Sequence, residues 1–314
     1  MLKWTGRVLL ALVVLLTGAV FLLRTPDTDP VEMLAKYGGA QARFAEGAGG
    51  LRVHYRSSGD PADPAVVMLH GSNSSLHTWE PLAARLGGYH VISLDLPGHG
   101  LTGPHPQDDY SAEGNAQAVD AVLDDLGVEQ AVLIGNSFGG WVSWRYALSR
   151  SERVAGLVLI ASSGMPRRDD DPEPPSSFVF ELLDTRVGGW LLTNITPRPL
   201  VESSLEASVS VTSIIDDAMV DRYWELIRYP GNRRAAIVSA NAEREPEMAD
   251  RIGEIEAPVL VIWGAEDQFV LPSAARTFAE RLPQAEVVIF DGIGHLPMEE
   301  APDRTAEAIR DFLN

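Results

Sequence analysis

Short apolar runs recur along the chain at 65–69, 90–94, 131–134, 154–160, 258–263 and 286–290. They are continuous rather than alternating, which is the pattern of a strand covered on both faces of a parallel sheet. The stretch 51–56 alternates instead and predicts an early antiparallel strand. Between these runs, 80–86, 112–126 and 273–282 carry apolar residues at helical spacing. Strands alternating with helices predict an α/β fold, a mostly parallel sheet with helices on both faces. The rhythm breaks once. No strand-like run falls between 160 and 258, whereas 178–183, 205–213, 219–228 and 235–243 have helical spacing. Residues 164–250 are therefore read as a helical cap inserted before the strand at 258–263. The acidic triplet Asp169, Asp170, Asp171, followed by prolines, reads as a solvated loop and not as a metal site.

The N-terminus has a different pattern. Residues 8–23 are apolar apart from Thr17 and Gly18, and Lys3 and Arg7 precede them. The run is about 16 residues, a little under the ~20 that a spanning helix prefers. Residues 1–24 are read as a membrane anchor or signal sequence. By the positive-inside rule Lys3 and Arg7 stay cytoplasmic, so the expectation is a single-pass cell-membrane protein whose catalytic domain is extracytoplasmic. The alternative is a secreted or periplasmic protein after signal cleavage near the small residues Thr17, Gly18 and Ala19. Prolines and glycines make 25–43 a linker, with one short helix near 31–36, and the main domain spans 44–314.

Charge narrows the partners. Lys and Arg number 25 against 44 Asp and Glu, a net charge of −19. Such a surface repels nucleic acid, which is not expected as a partner. The chain has no cysteine, so disulfides, thiolate metal sites and cysteine nucleophiles are excluded.

The candidate chemistry begins where the run 131–134 meets Gly135-Asn136-Ser137-Phe138-Gly139, a G-x-S-x-G sequence with helical spacing from Trp141 onward. A sharp strand-to-helix turn needs small residues two positions either side of the serine and presents Ser137 at the positive end of the following helix. A serine hydroxyl needs a base, and histidine suits that task near neutral pH. In a nucleophile-elbow protein the chain order is serine, acid, histidine. Of seven histidines only His295 follows Ser137, in the Gly-rich loop Asp291-Gly292-Ile293-Gly294-His295. The acid belongs at a strand end between them, where Gly264-Ala265-Glu266-Asp267 offers Asp267, with Glu266 as its neighbour. The strand ending at Ile160 leads into Ala161-Ser162-Ser163, which has no carboxylate. The oxyanion donors are assigned to the backbone N–H groups of Phe138 and of Ser72, with Asn73 as a second possibility for the latter. His70, Asp95 and His99 read as framework, and Trp141, Phe178 and Trp190 as candidate pocket residues.

From residue 44 onward the chain resembles the α/β-hydrolase superfamily. The resemblance is carried by L-H-G-S at 69–72, D-L-P-G-H-G at 95–100, G-N-S-F-G-G at 135–140, W-G-A-E-D at 263–267 and G-H-L-P-M-E-E at 294–300. It implies an eight-stranded-type, mostly parallel sheet and a Ser-His-Asp triad needing neither metal nor organic cofactor. The elbow and the H-G-S loop are similar to those of meta-cleavage-product hydrolases, which cut carbon–carbon bonds in ring-fission products. Those relatives usually carry tryptophan directly after the catalytic histidine, where this chain has Leu296. Haloalkane dehalogenases and epoxide hydrolases have similar sheets and caps but an aspartate nucleophile, a chemistry that Ser137 excludes. The expected function is a serine esterase cleaving a carboxylic ester or lactone of a small-molecule acyl substrate. The alternatives are a carbon–carbon hydrolase with the same triad and a non-catalytic ligand receptor on the same scaffold.

Overall fold

The computed structural model describes residues 18, 22–40, 42–172, 185–242 and 245–314. Eight strands form one sheet: β1 (Arg43–Glu46), β2 (Arg52–Ser58), β3 (Ala65–Leu69), β4 (His90–Leu94), β5 (Ala131–Asn136), β6 (Val154–Ile160), β7 (Val259–Gly264) and β8 (Glu286–Phe290). Their order is β1-β2-β4-β3-β5-β6-β7-β8. Only β1/β2 and β2/β4 pair antiparallel; every other pair is parallel. The edge strand β1 is not among the runs read from the sequence, because it is short and only Ala45 in it is buried.

The continuous apolar runs are explained by burial on two faces. In β3, Val67 and Leu69 point into one core cluster, with α1 (Ala112–Asp125) and α2 (Phe138–Ser149). Val66 and Met68 point into the other, with Trp79, Leu82 and the C-terminal helix residues Ala306 and Ile309. Between β6 and β7 lie α3 (Arg186–Asn194), α4 (Arg198–Ser208), α5 (Asp217–Ile227) and α6 (Asn232–Ala240). The stretch read as helical over 205–213 is α-helix only up to Ser208. Val209 is extended, with φ −122° and ψ 152°, and a short 3₁₀ helix follows at Thr212–Ile214. Ser273–Arg281 (α7) and Pro302–Leu313 (α8) complete the layers.

The segment read as a linker is docked. Thr25 N–H donates to Asn194 O (2.8 Å) and Arg233 pairs with Asp27 (2.5 Å). Lys36 Nζ and Tyr37 Oη both donate to Glu225 of α5 at 2.7 Å. Met33 and Tyr37 are buried with Leu101 and Leu226 in a small cluster of their own.

The expected membrane anchor requires correction. Among the described residues no helix is long and apolar enough to cross a membrane. The helical residues Leu22 and Leu23 give way at Arg24 to a segment without regular structure that docks on the cap. A ~30 Å hydrocarbon core needs about 20 helical residues. The single-pass anchor, the extracytoplasmic placement and the membrane partner derived from it are therefore not supported. The rest of residues 1–24, like Phe178, lies outside the described residues.

Candidate active site

The sheet places the candidate residues at the carboxyl ends of parallel strands in one half of the sheet: Ser137 after β5, Asp267 after β7 and His295 after β8. Ser137 has φ 54° and ψ −115°, a left-handed conformation that L residues with a side chain seldom adopt. The surroundings enforce it. Ser137 N–H donates to Ile160 O (3.0 Å), and the N–H and Oγ–H of Ser163 donate to Ser137 O at 3.0 and 3.1 Å. Ser163 carries no motif of its own; its signal is its place just past the end of β6, the strand beside the elbow strand. The flanking glycines are required by close approach: a Cβ on Gly135 would overlap Gly139 O, and one on Gly139 would overlap Leu69 O. Ser137 stands at the N-terminus of α2, where the unpaired N–H groups and the helix dipole favour negative charge.

His295 and Asp267 meet in a buried bond of 2.7 Å between Nδ1 and Oδ2. The other carboxylate oxygen of Asp267 accepts from the N–H groups of Phe269 (2.8 Å) and Val270 (3.1 Å). Asp267 therefore stays an acceptor toward the imidazole, which leaves Nε2 for chemistry. The Glu266 side chain is exposed, and this residue meets the histidine loop through its backbone, its N–H donating to Ile293 O (2.9 Å). Asn136, next to the nucleophile, donates through Nδ2 to His295 O (3.2 Å) and Ile160 O (3.2 Å), which brings the His295 loop against the elbow. Phe269 stacks on the His295 ring, centroids 5.5 Å apart, and is itself exposed. No motif pointed to Phe269; its position two residues after Asp267 was the available signal.

The loop after β3 runs beneath the elbow. A Cβ on Gly71 would lie 2.9 Å from Asn136 Oδ1 and 3.3 Å from Ser137 Cβ. Ser72 is exposed in this turn, Phe138 is buried, and Asn73 has φ 58°. His70 closes the loop, Nδ1–H donating to Gly71 O (2.8 Å) and Nε2 accepting from Leu96 N–H (3.0 Å). Burial pushes its pKa down, so the neutral ring those bonds require is favoured. Asp95 is enclosed: it accepts from Leu76 N–H (2.7 Å), Leu101 N–H (2.9 Å) and His54 Nδ1 (2.7 Å). Burial opposes its ionisation, yet these bonds and the fields of His54, His70 and His77 hold its carboxyl well below the usual range. His99 packs between His70 and Phe138, and its pKa is pushed down to about 3, first by burial and then by His70. Trp141 is buried and stacked on Phe138 at 5.5 Å, whereas Trp190 is exposed on α3.

A sharp elbow over a parallel sheet, with an Asp–His pair at the ends of its last two strands, defines a class of proteins. Residues 64–302 match the family model of the alpha/beta hydrolase fold, and the chain belongs to that family. It is close to the meta-cleavage-product hydrolases. The 2-hydroxy-6-oxononadienedioate/2-hydroxy-6-oxononatrienedioate hydrolase of Paraburkholderia xenovorans is 32% identical over 86% of this chain and 93% of its own length. Among solved structures, the 2-hydroxy-6-oxo-6-phenylhexa-2,4-dienoate hydrolase of a Rhodococcus species superposes with a TM-score of 0.73. It covers 87% of this chain and 99% of that one, and at 21% identity it speaks for the fold. A bacterial membrane phospholipase A superposes with a TM-score of 0.69 at 28% identity, covering 98% of each chain.

Proposed function

We propose that the protein is a serine hydrolase with Ser137 as nucleophile, His295 as general base and acid, and Asp267 as the residue that orients the imidazole. The observation carrying this reading is the buried 2.7 Å His295–Asp267 bond, on a loop whose His295 O accepts from Asn136, the residue preceding a serine held at φ 54°. Ser137 Oγ forms a bond to the substrate carbonyl carbon as its proton passes to His295 Nε2. The oxyanion is received by the backbone N–H groups of Phe138 and Ser72. The bond to the leaving group breaks as His295 returns the proton to it. Water deprotonated by His295 then releases the acid and restores Ser137.

The relatives support carbon–carbon cleavage as the first reading of the bond. There the substrate first takes its keto form, a proton moving from the C2 hydroxyl to C5; the C5–C6 bond then breaks with its electrons delocalised onto the C2 oxygen as a dienolate, which takes the proton from His295. Ester hydrolysis is the second reading. It is favoured by the end-to-end match to a phospholipase A and by Leu296 at the position after His295. The test is kcat/KM on 2-hydroxy-6-oxo-6-phenylhexa-2,4-dienoate, followed by loss of its dienolate absorbance, beside a series of p-nitrophenyl esters. Preference for the dienoate supports the first reading and preference for the esters the second. Saturable binding of both without turnover overturns the enzyme reading in favour of a receptor.

A further inference from the structure

Glu300 closes the motif that contains His295, and no catalytic role falls to it in the reaction above. Its carboxylate is buried, and four backbone N–H groups point at it. Two belong to the histidine loop: Gly294 N–H lies 3.0 and 3.1 Å from Oε1 and Oε2, and Leu296 N–H lies 3.2 Å from Oε1. The other two belong to the cap segment after α4: Ser210 N–H at 2.7 Å and Val211 N–H at 3.0 Å, both to Oε2. A second tie runs beside it, from His295 N–H to Ser208 O at 2.8 Å. The two backbones touch, since a Cβ on Gly294 would lie 2.9 Å from both Ser208 O and Ser210 N.

The segment that presents the imidazole, Asp291 to Leu296, belongs to neither helix nor strand, so regular structure does not hold it in place. A base must be kept within about 0.5 Å of its working position. Hydrogen bonds from N–H groups to a buried carboxylate are the stronger, charge-assisted kind. From this we infer that Glu300 is a positioning residue, clamping the cap segment 208–211 to the histidine loop. The cap then helps to aim His295 and does more than cover the site. The inference rests on His295 acting as the base.

Two measurements on the full chain test it. The first is the rate of Ser137 acylation by a fluorophosphonate across pH 5–9 for wild type, E300D and E300Q. Gln keeps the size of Glu but turns an NH2 donor toward N–H donors, whereas Asp keeps both acceptors on a shorter stem. E300Q is expected to acylate between about 10- and 100-fold more slowly, the scale of a small misplacement of a catalytic group. Its pH midpoint shifts, and E300D recovers part of the rate. The second is amide hydrogen exchange in the wild type, where Ser210 and Val211 are expected to be protected to the same degree as Gly294 and Leu296. Wild-type rate and pH midpoint in E300Q would overturn the clamp, as would rapid exchange at Ser210 and Val211 in the wild type. The exchange result stands even if E300Q does not fold. A wild type that resists the probe would overturn the serine-hydrolase reading, and the exchange would still decide the clamp.

Discussion

Single residues divide the work at this site by what each can donate or accept. Ser137 stands at a strained φ of 54° where the backbone, not the side chain, does the holding. Replacing its hydroxyl should therefore leave the fold intact: Ser137→Ala is expected to melt within a degree or two of wild type and to lose fluorophosphonate labelling altogether. Residual labelling at another serine would refute the nucleophile. Asp267 and Glu266 are adjacent in sequence and opposite in setting, one buried against His295 and the other in solvent. Asp267→Asn presents an amide NH2 or a neutral oxygen to Nδ1 and favours the wrong tautomer, at a cost of roughly 10⁴-fold in turnover. Glu266→Gln should stay within a factor of about two. Steady-state kinetics on whichever substrate is turned over checks both, and the reverse ranking would move the acid to Glu266.

At the scale of elements, the elbow and the N-terminal segment matter most. Gly139 sits where α2 passes against the end of β3, and a methyl group there has no room beside Leu69 O. Gly139→Ala forces a backbone shift between a strand and a helix and is expected to cost more than about 3 kcal/mol. Urea unfolding measures this, and an unchanged midpoint would show that the helix can slide. The N-terminal segment holds the cap by different means: Met33 and Tyr37 are buried, and Glu225 of α5 gathers Lys36 and Tyr37. Full burial of one such side chain contributes about 1.5–3 kcal/mol. A chain beginning at residue 39 should thus melt several degrees lower, and limited proteolysis should cut it first between 212 and 242. Cutting that begins elsewhere, with no change in melting, would mean that the segment only rests on the cap.

Across the whole molecule, buried histidines set the response to acid. His77 accepts from Ser75 and donates to Tyr37 O, and its pKa is pushed down to about 4, chiefly by burial. His99 is pushed down to about 3 for the same leading reason. The unfolded chain binds these protons near 6.5, the folded chain only near 4 or below. Between those limits the unfolded state holds more protons, so stability rises with pH and is lost on acidification from about 6.5 to 4. For His77 the loss is on the order of 3 kcal/mol. Glu299 works in the opposite sense, because burial raises its carboxyl. Urea midpoints at pH 7.5, 5.5 and 4.5 should fall steadily, and His77→Gln should flatten part of the slope. A midpoint independent of pH in this window would show that these rings take up protons without unfolding.

The legibility of the chain follows from the range of the forces involved. Strands buried on both faces announce themselves, because β3, β6 and β5 as far as Gly135 carry only apolar side chains and glycine; the elbow is legible in part, since Gly135 is demanded by Gly139 O four residues on, whereas Gly139 is demanded by the distant Leu69 O. Chain order alone was enough to nominate His295, and strand ends to nominate Asp267. The parts that escaped depend on partners far along the chain. β1 is half polar and becomes a strand only by pairing with β2. The linker reading of 25–43 missed the docking of Thr25, Asp27 and Tyr37, whose partners lie at 194–233. An apolar run at the N-terminus suggested a membrane span, but apolarity does not specify what covers it. Glu300 looked like one more acidic residue in an acidic chain. Its four N–H partners come from two segments about 85 residues apart, and only the folded backbone brings them to one carboxylate.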